Sequence, residues 1–161
     1  MKKVKVLDCT LRDGGYCNDW KFGKENTKKI LNGLMAANVD YIECGYLSNR
    51  ADYDPDRTKF ADLNPLSEML PRGNNSKLRL IMINYGEYSV DQIPECENSP
   101  VDGIRVAFHK KDVNEAISFC EKIKKKGYCI FVQPMVSMSY TEGEFVKLIQ
   151  EVNRLQAYAF Y

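Results

Sequence analysis

The stretch Leu7-Asp8-Cys9-Thr10-Leu11-Arg12-Asp13-Gly14-Gly15 concentrates the reactive chemistry of this 161-residue chain. Two carboxylates and an arginine fall within six residues, directly after the apolar run from Val4 to Leu7. Charged groups at the buried end of a strand must be paired, hydrated in a cleft or bound to a metal. Two readings follow from the residues alone. In one, an Asp–Arg salt bridge closes a strand-to-helix turn and Gly14-Gly15 supplies positive φ. In the other, the strand end is catalytic and its charges face a substrate.

The surrounding pattern says what must hold this stretch in place. A strand is expected over residues 4–9. The loop 14–23 carries Tyr16, Trp20 and Phe22, which read as a packed cover over a site. A helix is expected over 24–37, with Ile30, Leu31, Leu34 and Met35 on one face. A strand over 41–45 follows, then a long polar connection over 48–64. Asn64-Pro65 opens a short helix as N-cap and first-turn proline. The run 78–83 is apolar throughout apart from Arg79, as in a strand buried on both faces of a parallel sheet. Pro94 and Pro100 keep residues 89–100 from forming a helix. A strand over 103–108 leads to a helix over 113–126, which Asp112 caps with Glu115 reaching back and Gly127 ends. A strand over 129–133 precedes a second capping box, Thr141 and Glu144, and an apolar stripe from Phe145 to Leu155. Residues 157–161 begin a sixth strand.

Alternating strands and helices with no linker predict one α/β domain over 1–161 with a parallel sheet. No G-x-G-x-x-G follows the first strand, which disfavours a dinucleotide-binding sheet. A complete (β/α)8 TIM barrel takes about 250 residues. The expectation is therefore a TIM barrel truncated to about five βα units plus the start of strand 6. A self-contained open sheet is the alternative.

Composition narrows the function classes. The 23 basic and 22 acidic residues nearly cancel, giving a net charge of +1, so nothing electrostatic points to nucleic acid or a membrane surface. No stretch approaches the roughly 20 apolar residues of a membrane span, and the start Met1-Lys2-Lys3-Val4 does not read as a signal peptide. Six cysteines at 9, 17, 44, 96, 120 and 129 form no C-x-x-C pair, and several lie in apolar runs. They read as buried free thiols of a cytoplasmic protein rather than a disulfide framework. His109 is the single histidine, which nearly excludes a histidine-built zinc site.

A barrel builds its active site at the C-terminal ends of its strands. The polar groups at those ends are Asp8, Arg12, Asp13, Glu43, Asn84, His109 and Gln133. Glu43, in Ile42-Glu43-Cys44-Gly45, reads either as a site carboxylate or as a strand carboxylate paired to a lysine. His109 is a surface or cap histidine, or, with Lys110, a contact for a carboxylate or phosphate. Asp8, Asn84 and Gln133 are further substrate candidates. Arg105 lies within a strand and pairs with Asp8 or Glu43 if it points inward.

The motif Asp8-Cys9-Thr10-Leu11-Arg12-Asp13-Gly14-Gly15, with Tyr16 and the continuation Cys17-Asn18-Asp19-Trp20-Lys21-Phe22, resembles the strand-1 signature of the DRE-TIM metallolyase superfamily. The likeness is greatest to the aldolase-type catalytic domains of 4-hydroxy-2-oxovalerate aldolases. The resemblance implies a divalent metal, Mg2+ or Mn2+, held by Asp13. It implies that Arg12 stabilises the enolate oxygen of a 2-oxo acid and that Glu43 orders Arg12. Such chemistry fits the residues, since cleaving a carbon–carbon bond beside a carbonyl builds negative charge on oxygen.

Two departures from the family pattern stand out. The family completes its metal site with a His-x-His pair on strand 7, and this chain ends before that strand, so the metal is expected only if those ligands are supplied. Tyr16 occupies the position of the family's catalytic histidine, and a phenol with a pKa near 10 is a poor base at neutral pH. The expected function is a divalent-metal-dependent aldolase or lyase acting on a 2-oxo acid or related small carbonyl compound. Arg12, Glu43 and Tyr16 are its catalytic candidates. A Claisen-type acyl transferase and a catalytically incomplete half-barrel acting in assembly are the alternatives. Self-association into a homo-oligomer is expected.

Overall fold

A computed structural model describes residues 4–70 and 78–161; the basic pair Lys2-Lys3 lies outside them. Apolar runs separated by amphipathic helices leave each strand needing cover on both faces, and a parallel sheet with helices outside provides it. The elements are β1 (Leu7–Asp8), α1 (Thr10–Asp13), α2 (Lys24–Ala36), β2 (Tyr41–Leu47), β3 (Lys59–Phe60), α3 (Asn64–Met69), β4 (Leu78–Asn84), β5 (Gly103–Phe108), α4 (Val113–Lys125), β6 (Cys129–Pro134), α5 (Glu142–Leu155) and β7 (Ala159–Phe160). Strands pair in the order β1-β2-β4-β5-β6-β7, every pair parallel, with β3 added to the end of β2.

The six strands of the main path form a half-barrel turning through 224°. Spread over five steps this is about 45° each, the step that closes a circle with eight strands, as in a (β/α)8 barrel. The sheet is thus a truncated TIM barrel.

Side chains alternate across it. Ile42, Cys44, Ile81, Ile83, Ile104, Val106, Ile130 and Val132 face outward into one large core with the helices. The alternate positions, among them Glu43, Met82, Arg105, Ala107 and Phe131, line the concave face. This alternation puts the charges of β2 and β5 inside the curve and leaves the apolar residues to pack the helices.

Several local expectations change. The first strand shrinks to two residues, because Val4 and Val6 lie on an exposed edge and only Val6 engages the neighbouring strand, through its carbonyl and the Tyr41 N–H. Gly14 and Gly15 do not adopt positive φ. The chain instead coils into α1 and a 3-10 turn over Gly14–Cys17, and Gly15 serves close packing: a Cβ there would lie 2.1 Å from the Trp20 ring.

The polar connection after β2 contains β3, which the sequence reading left unassigned. Gly45 admits it, since a Cβ there would stand 2.2 Å from the Thr58 carbonyl oxygen. Asp112 makes no side-chain cap; a 3-10 turn over Lys110–Asp112 runs straight into α4 instead. Asn64 is the first residue of α3 rather than its cap, and its N–H donates to Asp62 Oδ1 at 2.7 Å. The Thr141–Glu144 capping box is formed in full.

Candidate active site at the strand ends

Arg12 lies in α1, the single turn that bends back over the end of β1. Its Nε donates to Glu43 Oε2 at 2.7 Å, and its Nη1 donates to Asp13 Oδ1 at 2.7 Å. Arg105 approaches the same carboxylate from β5. Its Nε donates to Glu43 Oε1 at 2.7 Å, and its Nη2 donates to Oε2. Glu43 is fully buried, and both arginines are nearly so. The lysine pairing considered for Glu43 is replaced by two guanidinium groups, and Arg105 takes Glu43 rather than Asp8.

Charge counting gives this cluster its meaning. Two guanidinium groups share one buried carboxylate, so the trio carries one net positive charge. Arg105 grips both oxygens of Glu43, the bidentate geometry that suits a guanidinium. Arg12 is therefore held in place by a buried carboxylate that it shares with a second cation. Its remaining partner is Asp13, whose side chain is 64% exposed and faces away from the core. Burial alone would lower the Arg12 pKa, but the charge and hydrogen bond of Glu43, with Asp13 beside them, outweigh it and raise it. Arg12 stays a cation at any accessible pH.

An aromatic wall stands over the cluster. Trp20 donates its indole N–H to the Arg12 carbonyl oxygen at 2.8 Å and stacks on Tyr46 at 6.0 Å between ring centres. Tyr46 donates its hydroxyl to Glu87 Oε2 at 2.5 Å, and Ser48 Oγ donates to the same oxygen at 2.9 Å. Burial would raise the Glu87 pKa, yet the hydrogen bonds from Tyr46, Ser48 and Asn84 lower it overall. Burial and the Glu87 contact push the Tyr46 hydroxyl up. The expected cover is present in Trp20, and Phe22 packs against the main core.

The remaining candidates separate. Asp8 accepts from the Thr10 N–H and hydroxyl, both at 3.0 Å, and so closes the turn that starts α1. Asn84 and Gln133 share one register row with Ala107 between them, and each has a buried amide oxygen without a hydrogen-bond partner. Tyr16 is 66% exposed and meets the edge of the Trp20 ring. His109 is exposed and lines a cavity of about 430 Å³ at the β5 and β6 ends, together with Lys110, Lys111, Met135, Val136 and Ser139. The geometry does not bring it to Arg12, Glu43 and Arg105.

The sequence named Arg105, an arginine in an otherwise apolar strand, but left it between Asp8 and Glu43; Lys59, inside a polar connection, was not singled out.

Asp13 offers one carboxylate at the mouth, a donor suited to Mg2+ or Mn2+. Among the described residues no group of three or more His, Cys, Asp or Glu side chains could hold an ion. Asp13 thus fits one corner of such a site. All six cysteines are free thiols, and burial raises Cys44 and Cys120 to about 12. No helix among the described residues is long and apolar enough to cross a membrane.

No family model matches the chain. It is 28% identical over 151 residues to 4-hydroxy-2-oxovalerate aldolase 2 of Comamonas testosteroni, an alignment covering 91% of this chain and 42% of that protein. Among solved structures it is similar to the N-terminal domain of a putative aldolase from Bacteroides vulgatus. There the TM-score is 0.66 and the identity 24%, over 98% of this chain and 53% of that one. The chain thus spans about half the length of the proteins it matches.

Proposed function

We propose that this half-barrel carries the enolate-stabilising part of an aldolase that acts on a 2-oxo acid. The observation that supports the reading most is the Arg12 guanidinium at the strand ends, fixed by Glu43, which it shares with Arg105, and paired on its outer side with the exposed Asp13. The similarity to a 4-hydroxy-2-oxovalerate aldolase points the same way and favours this reading over the acyl-transferase and assembly alternatives.

The chemistry follows from the charge. Breaking the bond between the carbons α and β to the 2-oxo group leaves an electron pair on the α carbon that delocalises onto the carbonyl oxygen. A guanidinium held at that oxygen lowers the energy of the developing enolate, and it does so best where its own position is fixed beforehand. Glu43 and Arg105 fix it. Trp20 and Tyr46 wall one side of the mouth against water. A divalent metal, held in part by Asp13, would supply Lewis-acid polarisation of the same carbonyl. Asn84 and Gln133 stand as substrate contacts in this reading, with Asp8 and His109 at its margin. The ligand is a small carbonyl compound.

Enolate formation can be followed without a complete reaction. Incubated in D2O with Mn2+ and pyruvate, the chain should exchange the methyl protons of pyruvate for deuterium, read by proton NMR. Arg12→Ala should slow exchange by about 10²–10³-fold, with Arg12→Lys between the two. Exchange no faster than buffer with the unaltered chain, or unaffected by Arg12→Ala, would overturn the proposal.

A further inference from the structure

Lys59 is a cation at the mouth that the enolate chemistry leaves unused. It stands on β3, directly opposite Tyr46 in the β2–β3 register. Its Nζ lies 5.1 Å from the centre of the Trp20 ring and 5.4 Å from that of Tyr46. Neighbouring cations are matched to carboxylates: Arg57 to Asp19 and Asp54, Arg50 to Glu87, and Lys21 to Asp19. Lys59 has no such partner among the described residues, and two aromatic faces hold it instead.

Those faces are themselves fixed. Trp20 is tied to the Arg12 carbonyl oxygen and seated on Gly15; Tyr46 is tied to Glu87. A ring quadrupole attracts an ammonium without cancelling its charge. The amine therefore keeps its charge and its N–H donors for a ligand, on the same tryptophan that touches Arg12. The backbone makes room for this arrangement: Gly45 is what lets β3 approach β2 and bring Lys59 to the mouth.

We propose that Lys59 is a second anion subsite, so that the substrate is a 2-oxo acid bearing a further acidic group. Arg12 meets the 2-oxo end and Lys59 the distal carboxylate. The inference rests on the 2-oxo acid reading of Arg12 and names its substrate class.

Two five-carbon acids separate the ideas: 2-oxoglutarate, with a distal carboxylate, and 2-oxopentanoate, with a methyl group there. Isothermal titration of the chain in MgCl2 should find 2-oxoglutarate bound roughly tenfold more tightly, the scale of one charge-assisted hydrogen bond. Lys59→Met should remove that preference and leave 2-oxopentanoate unchanged. Lys59→Arg should retain it, and Lys59→Gln stands in for the methionine variant if that one fails to fold. Equal affinity for the two acids in the unaltered chain overturns the subsite and leaves the 2-oxo acid reading standing. So does a Lys59→Met chain that keeps its preference or weakens both acids alike. Binding of neither acid removes both.

Discussion

Glu43 and Glu144 both accept hydrogen bonds from cations, and they do opposite work. Glu43 sits fully buried in the concave face between Arg12 and Arg105, drawn from three separate elements of the chain. Glu144 lies on the first turn of α5 with its side chain 44% exposed, meeting Lys110 at 2.7 Å and Thr141 next to it. The first arrangement orders a charge for chemistry at the expense of desolvating three ions. The second satisfies helix-end N–H groups locally. Ion pairs of similar length thus differ in what they are for, and burial tells them apart.

The largest effect should come from breaking the buried cluster on one side. Glu43→Ala leaves Arg105 buried without its counter-charge and Arg12 with the exposed Asp13 in place of its buried partner, and should destabilise by about 3–5 kcal/mol. Urea denaturation measures this directly. Replacing all three ions together, as Arg12→Met with Glu43→Leu and Arg105→Met, should recover most of that stability while leaving no enolate chemistry. If the single and triple variants are equally unstable, the cluster is a structural necessity and the contrast with Glu144 fails.

Gly45→Ala comes next, because it tests whether β3 belongs to the site or decorates it. A Cβ would stand 2.2 Å from the Thr58 carbonyl and 2.7 Å from the Phe60 ring, so β3 must move away from β2. A loss above about 1 kcal/mol is expected, as for an alanine forced into an incompatible backbone. Tryptophan fluorescence should change with it, since Lys59 leaves the Trp20 face. An unaltered spectrum would separate β3 from the mouth.

Much of this was legible in the chain. Alternating apolar and amphipathic runs gave the parallel sheet, the strand-end rule put Arg12 and Glu43 at one mouth, and the family resemblance implied their pairing across a separation of 31 residues. The Thr141–Glu144 box was readable because a capping box is local in sequence. Asp112 and Glu115 offered a similar signal, yet the 3-10 turn before α4 left no room for a cap. The choice of Arg105 between Asp8 and Glu43 depended on inward-facing register, which spacing alone does not fix. Asp8 was taken by Thr10 two residues away, a local competitor that won. Lys59 was least legible: β3 exists only because Gly45 lets two backbone segments approach, and no hydrophobic period marks two residues.

Helix capping provides the smaller tests. Thr141→Ala removes the oxygen that accepts from the Glu144 N–H and the hydroxyl that donates to its carboxylate. The expected cost is about 1 kcal/mol, typical of an N-cap, and thermal melting should register it without any change at the mouth. A Thr141→Ala chain that lost pyruvate exchange would mean that the outer helix end and the strand ends are coupled, which the geometry gives no reason to expect.

The finest test is the pH dependence of the same cap. Hydrogen bonding to Lys110, then to the Thr141 N–H and hydroxyl, lowers Glu144 to about 2 from its ordinary 4.5. A carboxylate whose pKa is depressed on folding contributes stability that is full above its unfolded value and is lost as pH falls through its folded one. The melting temperatures of the unaltered chain and Glu144→Gln should therefore differ by a constant amount above about pH 5 and converge as the pH approaches 2. The comparison of variants isolates Glu144 from the other carboxylates titrating in that range. A difference that stays level to pH 2 would mean the exposed pair adds no stability at all. The contrast with Glu43 would then be sharper still: only the buried carboxylate would be energetically engaged.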